Sequence, residues 1–386
     1  MNRRELLFGG CAACLLMATR AALGNSAGDY AMPARLTRPD LASDEGGLWA
    51  LMEREERQLR RSPFVLRDPE LKSYVQDLAC RLGGEHCPDI RVHLVRTPVF
   101  NANMAPNGMM QVWTGLLLRV DNEAQLAAVL GHEIGHYLQR HGLQRITDAK
   151  SKAAFGQFLG VFGIAGAVGQ IAVLASAFAY GREHEREADR IGAQLMHAAG
   201  YDVREAAKVW NNLLVEIKAR DGEDPGKNSP LFATHPSPPE RQETLEQLAR
   251  ELPGGQTGEA RYAKATQRFL GEWLQDEVKR GQHEETIALL SRHIERQAAP
   301  GRMRYYRGET YRLRNRNGDV QAALADYLGA AVLPDAPPET QRGIGLVQRQ
   351  LGQTREARDA FKRYLALAPG AADAALINTY LAEMNP

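Results

Sequence analysis

The stretch that decides the fold is DNEAQLAAVLGHEIGHYLQRH, residues 121–141. Its apolar residues recur at helical spacing, which is typical of a helix that packs one face against a core. Asp121 or Asn122 supplies a capping side chain just before Glu123. The pattern therefore predicts a capped helix that runs from Glu123 to about His141.

Two histidines and a glutamate on this helix form the pattern H-E-x-x-H. Residues four apart share one helix face, so the imidazoles of His132 and His136 can ligate one metal ion. Glu133 lies beside them, where a carboxylate can take a proton from a water molecule on the metal. In an apolar helix these side chains would be partly buried charge without an ion, which favours a metal site over a chance pattern.

A second acidic helix is predicted downstream at EHEREAD, residues 183–189. Two histidines and one carboxylate, with one coordination position left over, form the usual arrangement of catalytic zinc. Spacing alone does not choose the third ligand among four candidates: Glu183, His184, Glu185 and Glu187. If it is not a ligand, His184 is expected at the surface or in support of a ligand, and so is His141.

The composition excludes several classes of protein. The chain has 386 residues with 48 Lys+Arg and 47 Asp+Glu, so its net charge of +1 gives no broad attraction to nucleic acid. With 44% hydrophobic and 25% charged residues it resembles an ordinary globular protein, which argues against disorder and against many membrane spans. Its length allows two or three domains.

The first 27 residues have the pattern of an export signal. Arg3 and Arg4 precede an apolar run at residues 6–18, and small residues follow at positions 21–24. We therefore expect a cleaved signal and a periplasmic protein. The paired arginines leave both the general secretory route and the twin-arginine route open.

Four cysteines are too few for a disulfide scaffold. Cys11 and Cys14 fall within the predicted signal, so only Cys80 and Cys87 belong to the mature chain. In an oxidising compartment these two can pair across a short loop. Free thiols and a metal role together with His86 stay open as alternatives.

Local patterns also predict the elements before the H-E-x-x-H helix. The pattern is helical from Leu48 to Leu82, and Asp68-Pro69 is a good helix start. Two strand candidates, Ile90–Val95 and Met109–Trp113, flank a turn-rich stretch at residues 101–108. We expect an extended substrate to add along the Met109–Trp113 edge.

Residues 153–180 contain no charged residue, and five glycines fall between positions 156 and 169. Glycines cost a helix roughly 1 kcal/mol each relative to alanine, which favours a broken segment packed over the cleft. Contact with a membrane is the alternative.

A linker is predicted at residues 252–258, and the chain then becomes helical and repetitive to residue 386. The clearest unit has Gly345, Ala357, Phe361 and Pro369 at tetratricopeptide positions. The preceding unit matches it with the following residues: Gly308, Tyr311, Ala323, Tyr327 and Pro334. A fainter unit places Gly281, Leu290 and Pro300 in the same positions. Such helical pairs stack because one pair cannot bury its own apolar face.

The sequence resembles metallopeptidase family 48, the HtpX/BepA type of gluzincin. The resemblance rests on motifs that occur in the family's order: Asn101-Ala102 with Pro106 and Gly108, Asp121-Asn122-Glu123, His132-Glu133-Ile134-Gly135-His136, Glu185-x-x-Ala188-Asp189, and Thr234-His235-Pro236 with Arg241. It implies an α+β zincin-type metalloprotease domain, mostly helical with a small sheet, over residues 28–251. An all-α TPR-like repeat domain would follow at residues 259–386.

The resemblance also implies a role for each site residue. One zinc ion per chain would have three ligands: His132, His136 and Glu185. Asp189 would orient His132, and Glu133 would act as general base. His235 would line or gate the site, as an oxyanion donor or as a fourth, regulatory ligand. Arg241 would bind the transition state or pair with a carboxylate of the cleft.

We therefore expect an exported zinc endopeptidase of periplasmic protein quality control. By resemblance to the BepA type, its substrates would be misfolded or stalled outer-membrane proteins, and the repeats would bind clients and the outer-membrane barrel assembly machinery. Two alternatives stay open. One is a non-proteolytic TPR chaperone or adaptor with a shut or structural zinc site, and the other is a peptidase anchored in the membrane through residues 153–180.

Overall fold

Helices make up most of the computed structural model, which describes residues 30–148, 181–222 and 239–384. The helices of these ranges are α1 (Asp44–Arg61), α2 (Pro69–Gly83), α3 (Thr114–Arg119), α4 (Glu123–Leu138), α5 (His141–Asp148), α6 (Arg182–Ala198), α7 (Arg204–Asp221), α8 (Pro239–Glu251), α9 (Glu259–Thr266), α10 (Leu270–Lys279), α11 (His283–Glu295), α12 (Pro300–Arg314), α13 (Asp319–Ala331), α14 (Glu339–Gln350), α15 (Thr354–Leu367) and α16 (Ala374–Glu383). A single small sheet accompanies them in the described ranges, so the prediction of a mostly helical fold with a small sheet is confirmed.

Three predicted features lie outside the described residues: the export signal at 1–27, the apolar segment at 153–180 and the loop that carries His235. Within the described ranges, no helix is both long enough and apolar enough to cross a bilayer.

The helical region predicted from Leu48 to Leu82 is divided into α1 and α2. Ser62 precedes a proline, which disfavours helical backbone, and it ends α1 in an extended conformation. As predicted, Asp68 caps α2, accepting the backbone N–H of Leu71 at 2.9 Å. The Cys80–Cys87 disulfide joins the last turn of α2 to the short 3₁₀ helix that follows it.

The sheet has the strand order β1-β3-β2, from β1 (Arg91–Val95), β2 (Ala102–Met104) and β3 (Met109–Trp113). β3 pairs in parallel with β1 and antiparallel with β2. The expectation that Met109–Trp113 forms a free edge is therefore wrong, because β3 is the central strand.

The edge strand β2 lies within the stretch that was predicted to be turns. Gly108 folds this stretch into a tight hairpin: its φ of 86° is in the left-handed region, and a Cβ there would lie 2.1 Å from the carbonyl oxygen of Asp89. The hairpin places Ala102–Met104 beside β3, so only the second half of residues 101–108 is a turn.

Helix α4 begins as predicted and ends three residues early. Asn122 caps it by accepting the backbone N–H of Gln125 at 2.9 Å. Every residue of α4 is buried. The helix stops at Leu138 because Arg140 takes a left-handed conformation with a φ of 58°, and α5 then starts at His141 in a new direction.

The C-terminal helices form consecutive packed pairs, with α12 against α13 and α14 against α15. The matched positions of the predicted repeat make matching contacts. A Cβ on Gly308 would lie 2.7 Å from the ring of Tyr327, and one on Gly345 would lie 2.5 Å from the ring of Phe361. Each glycine thus admits an aromatic ring from its partner helix. Assignment of these pairs to the tetratricopeptide class stays a prediction.

The predicted linker and the first C-terminal helices pack onto the rest of the chain. In the linker, the carbonyl oxygen of Thr257 accepts the N–H of Ala124 at the start of α4, at 2.9 Å. Trp273 of α10 and Leu290 of α11 belong to the same apolar cluster as the residues of α2 and α4. One core therefore continues across the predicted domain boundary.

A buried arginine reinforces this junction. Arg119, at the end of α3, is 2% exposed and forms ion pairs with three carboxylates: Glu216 at 2.8 Å, Glu277 at 2.9 Å and Glu285 at 3.1 Å. Because Glu277 lies on α10 and Glu285 at the start of α11, the guanidinium joins the sheet side of the molecule to the C-terminal helices.

We predict that Arg119→Ala lowers the free energy of unfolding by up to about 3–5 kcal/mol, because it removes the buried guanidinium that three buried carboxylates share and leaves them only their pairs with Arg220, Arg280 and Arg292. Urea denaturation followed by circular dichroism measures the loss. Arg268→Ala is the control, since Arg268 is 46% exposed and pairs with Asp68 in solvent. That exposed pair should contribute about 0–1 kcal/mol. Equal losses in the two variants would contradict the assigned role of the buried network.

Candidate metal centre

The centre forms where α4 and α6 pack closely through small residues. A Cβ on Gly135 would lie 3.1 Å from the backbone of Ala188, and one on Gly192 would lie 2.9 Å from the backbone nitrogen of His132. These positions leave room for nothing larger than hydrogen between the two backbones. Side chains on the facing surfaces of both helices are therefore brought within a few ångströms of each other.

Three donor side chains meet at this crossing: His132 and His136 from α4, and Glu185 from α6. The two imidazole Nε2 atoms are 3.1 Å apart. Glu185 places Oε2 at 3.5 Å from Nε2 of His132 and Oε1 at 3.3 Å from Nε2 of His136. All three side chains are buried.

The donor set fits a small tetrahedral cation. Bonds of about 2.0–2.1 Å at tetrahedral angles separate neighbouring donor atoms by roughly 3.3 Å, and the observed separations lie on both sides of that value. Two imidazoles and one carboxylate also leave one of four coordination positions for water or substrate. These residues therefore match a catalytic metal site in both chemistry and spacing.

Of the four candidates for third ligand, only Glu185 has its side chain in this cluster. The Glu183 side chain is 85% exposed and pairs with Arg186, and that of Glu187 is 40% exposed. The ring of His184 stacks on His141, with centroids 4.2 Å apart. Helical rotation explains the difference, because positions 183 and 187 lie well away from the face that 185 presents to α4.

His132 has a carboxylate on its other ring nitrogen. Its Nδ1–H donates to Oδ1 of Asp189 at 2.9 Å. Arg241 clamps the same carboxylate, with Nε at 2.7 Å from Oδ2 and Nη2 at 2.7 Å from Oδ1. Burial alone would raise the pKa of Asp189, but the Arg241 guanidinium and His132 hold it below its usual value. Asp189 therefore carries a negative charge beside His132.

Arg241 is itself buried and held from three sides. Besides Asp189 it pairs with Glu185, Nη1 to Oε2 at 3.0 Å, and its guanidinium carbon lies 3.9 Å from the centre of the Trp210 ring. Burial alone would lower the pKa of Arg241, but Asp189, Glu185 and the nearby Glu133 raise it. Of the two roles expected for Arg241, the geometry described is the pairing with carboxylates. The contribution of Trp210 was not anticipated from the sequence.

His136 is supported by a different group. Its Nδ1 lies 2.8 Å from Nδ1 of His141, and Nε2 of His141 lies 3.3 Å from Oε2 of Glu187. His141 is 1% exposed, so it is the supporting histidine and not the surface one of the two alternatives. Burial, and next the neighbouring His184, lower the pKa of His141 to about 4. The signal available in the sequence was a histidine five residues after His136, just past the helix end.

Glu133 is also buried, on α4 between the two histidines. His235 lies outside the described residues. Of the predicted site residues, the structure thus brings together His132, Glu133, His136, Glu185, Asp189 and Arg241.

A buried His-His-Glu cluster on two crossing helices beside a small sheet has the donor set that a metallopeptidase centre needs. Residues 65–249 match the model of peptidase family M48. The matched segment includes the whole cluster, so the similarity to this family covers the candidate metal centre.

Curated relatives agree with this assignment. The chain is 28% identical over 270 residues to the beta-barrel assembly-enhancing protease of Yersinia pestis, covering 64% of this chain and 54% of that protein. It is 29% identical over 227 residues to the protein of the same name from Escherichia coli K12, covering 53% and 45%. It is 32% identical over 198 residues to the mitochondrial metalloendopeptidase OMA1 of Arabidopsis thaliana, covering 48% and 39%. The chain thus spans about half or less of the length of these relatives.

We predict that Glu185→Ala abolishes stable metal binding, because it removes one of three protein donors. Elemental analysis after dialysis against metal-free buffer measures the bound ion. Glu183→Ala is the matched control, since it deletes the same side chain two residues earlier on α6, where it is exposed. The ligand assignment fails if both variants retain the metal, or if both lose it.

Proposed function

We propose that this chain is a zinc-dependent endopeptidase that acts in the periplasm on misfolded or stalled outer-membrane proteins. The observation that carries the proposal is the spacing of the three donor atoms of His132, His136 and Glu185, with Glu133 buried beside them. The family M48 match of residues 65–249 supports the peptidase activity.

The donor set favours zinc. Neutral imidazole and carboxylate are common ligands of catalytic zinc, and a site with three protein ligands keeps one position for chemistry. When bound there, the ion would supply Lewis acidity, which acidifies a water molecule and polarises a peptide carbonyl.

The residues around the ion divide the remaining work. Glu133 would take the proton of the attacking water and transfer it to the departing amine. Asp189 fixes the proton of His132 on Nδ1, which leaves Nε2 as the donor atom. Arg241 holds Asp189 and Glu185 in place through its two ion pairs, so its role is to position those carboxylates.

The edge strand β2 offers a place for an extended substrate. Asn101 and Ala105 bond to β3 through Trp113 and Met109, at 3.1 and 2.8 Å. Backbone groups alternate in direction along an antiparallel strand, so those of Ala102 and Met104 point away from β3. A peptide could add there as a further strand next to α4, whereas β3 is flanked on both sides.

The location and the clients are inferred from the export pattern and from relatives. Residues 1–27 have the pattern of a signal peptide, and two similar proteins are named beta-barrel assembly-enhancing proteases. In this proposal the paired C-terminal helices act as TPR-like repeats that bind unfolded clients or the barrel assembly machinery.

We predict that Glu133→Gln lowers casein cleavage by at least about 10²–10⁴-fold, because it removes the general base. The amide is nearly isosteric, so bound zinc should stay at the wild-type level. Cleavage is measured on metal-loaded protein alongside metal content. Wild-type cleavage by the variant would contradict the role of Glu133 as general base. Full function of the variant in a complementation assay, without cleavage, would favour a non-proteolytic adaptor.

His235 has a separate role in this proposal. Its motif, Thr234-His235-Pro236, precedes α8 and carries an additional potential ligand. A fourth protein ligand would close the coordination position that water needs, and so would hold the enzyme inactive.

We predict that His235→Ala raises basal proteolysis or self-cleavage, measured against the wild type and against His235→Ala combined with Glu133→Gln. Unchanged activity together with unchanged metal coordination would refute this gating role.

A further inference from the structure

We propose that His141 is a positioning residue for the metal centre, and that Glu187 selects the tautomer in which His141 can hold His136. This inference rests on the metal site of the proposed function. It concerns a pair of residues outside the ligand set.

Two successive hydrogen-bond contacts lead from the buried site towards solvent. Nδ1 of His136 meets Nδ1 of His141 at 2.8 Å, and Nε2 of His141 meets Oε2 of Glu187 at 3.3 Å. The His141 side chain is 1% exposed, whereas that of Glu187 is 40% exposed. This series of contacts therefore starts at the candidate metal ligand His136 and ends at the solvent-exposed carboxylate of Glu187.

One arrangement of protons satisfies this chain when His136 binds a cation through Nε2. The proton of His136 then resides on Nδ1 and needs an acceptor. His141 can accept it only if its own Nδ1 is unprotonated, so its proton resides on Nε2. Glu187 accepts the hydrogen bond from that Nε2–H. Without Glu187, His141 could take the other tautomer, and its Nδ1–H would then face the Nδ1–H of His136.

The backbone explains how His141 reaches this position. Arg140 ends α4 with its left-handed conformation, and α5 begins at His141. With this break between the helices, the His141 ring lies against His136, with centroids 5.0 Å apart and an angle of 70° between planes. Arg140 also pairs with Glu45 of α1, which anchors the turn. The geometry is thus built into the helix end.

The two ligating histidines consequently have unlike supports. A charged carboxylate that is clamped by Arg241 faces His132, whereas a neutral imidazole faces His136. A carboxylate acceptor strengthens the donor nitrogen of an imidazole more than a neutral acceptor does. His136 therefore depends on correct placement of its partner, and loss of His141 should weaken metal binding.

The experiment measures metal affinity, at one fixed pH, by competition between the intact protein and a chelator. His141→Leu removes the acceptor and should weaken zinc binding by about 10–100-fold. His141→Asn places an amide oxygen near the Nδ1 position and should restore most of the affinity. Glu187→Ala should weaken zinc binding and Glu187→Gln should restore it, since the glutamine side-chain oxygen still accepts a hydrogen bond from Nε2–H of His141.

Two further measurements separate positioning from packing. The cobalt-loaded proteins are compared by visible absorption, which should change in His141→Leu and return in His141→Asn. His184→Leu disturbs the stack on the same ring and should leave both affinity and spectrum close to those of wild type. If His141→Leu does not fold, His141→Gln replaces it, because its longer side chain moves the amide away from the Nδ1 position.

The outcomes distinguish this inference from the proposed function. A wild-type protein that binds no zinc would overturn the metal site itself. A wild-type protein that binds zinc, with His141→Leu equal to it in affinity and spectrum, would overturn the positioning role alone. An equal loss in His184→Leu, or no recovery in His141→Asn, would also overturn it.

Discussion

The close approach of α4 and α6 is the contact on which the centre depends. α4 supplies His132 and His136, α6 supplies Glu185, and the distance between the helix backbones sets how far apart the donor atoms lie. That distance is short because Gly135 and Gly192 have no side chains at the crossing. A methyl group at position 192 would meet the backbone nitrogen of His132, and the helices would have to separate. The packing of the two helices therefore also determines whether the donor atoms are close enough to bind one metal ion.

Charge at the crossing favours a divalent cation. Three buried carboxylates, Glu133, Glu185 and Asp189, surround one buried guanidinium, that of Arg241. With neutral imidazoles this set has a formal charge of −3 + 1 = −2, which is expensive to bury. A divalent ion between the donors would neutralise it. Arg241 forms ion pairs with two of the carboxylates, Glu185 and Asp189.

Features of the fold and the site that depend only on residues close together in the sequence could be predicted. The cap at Asn122 and the spacing of His132 and His136 follow from helix geometry, so α4 and its metal-binding face could be predicted. Two features depend on contacts made by distant parts of the chain. β2, at Ala102–Met104, has no β-branched residue and is a strand only because its hairpin pairs it with β3. The position of His141 depends on the left-handed conformation of Arg140, which interrupts the helix just before it.

The sequence pattern changes at the boundary predicted at residues 252–258, but the apolar core and the buried ion pairs continue across it. Arg119 follows directly on the sheet through α3, and its partners include Glu277 of α10 and Glu285 of α11. These elements also share one apolar core with α2 and α4. Sliding α10 or α11 relative to the sheet would expose buried carboxylates and break that core, which is costly. The paired helices from α12 onwards therefore continue from helices that share one core with the sheet and with the helix that supplies both ligating histidines.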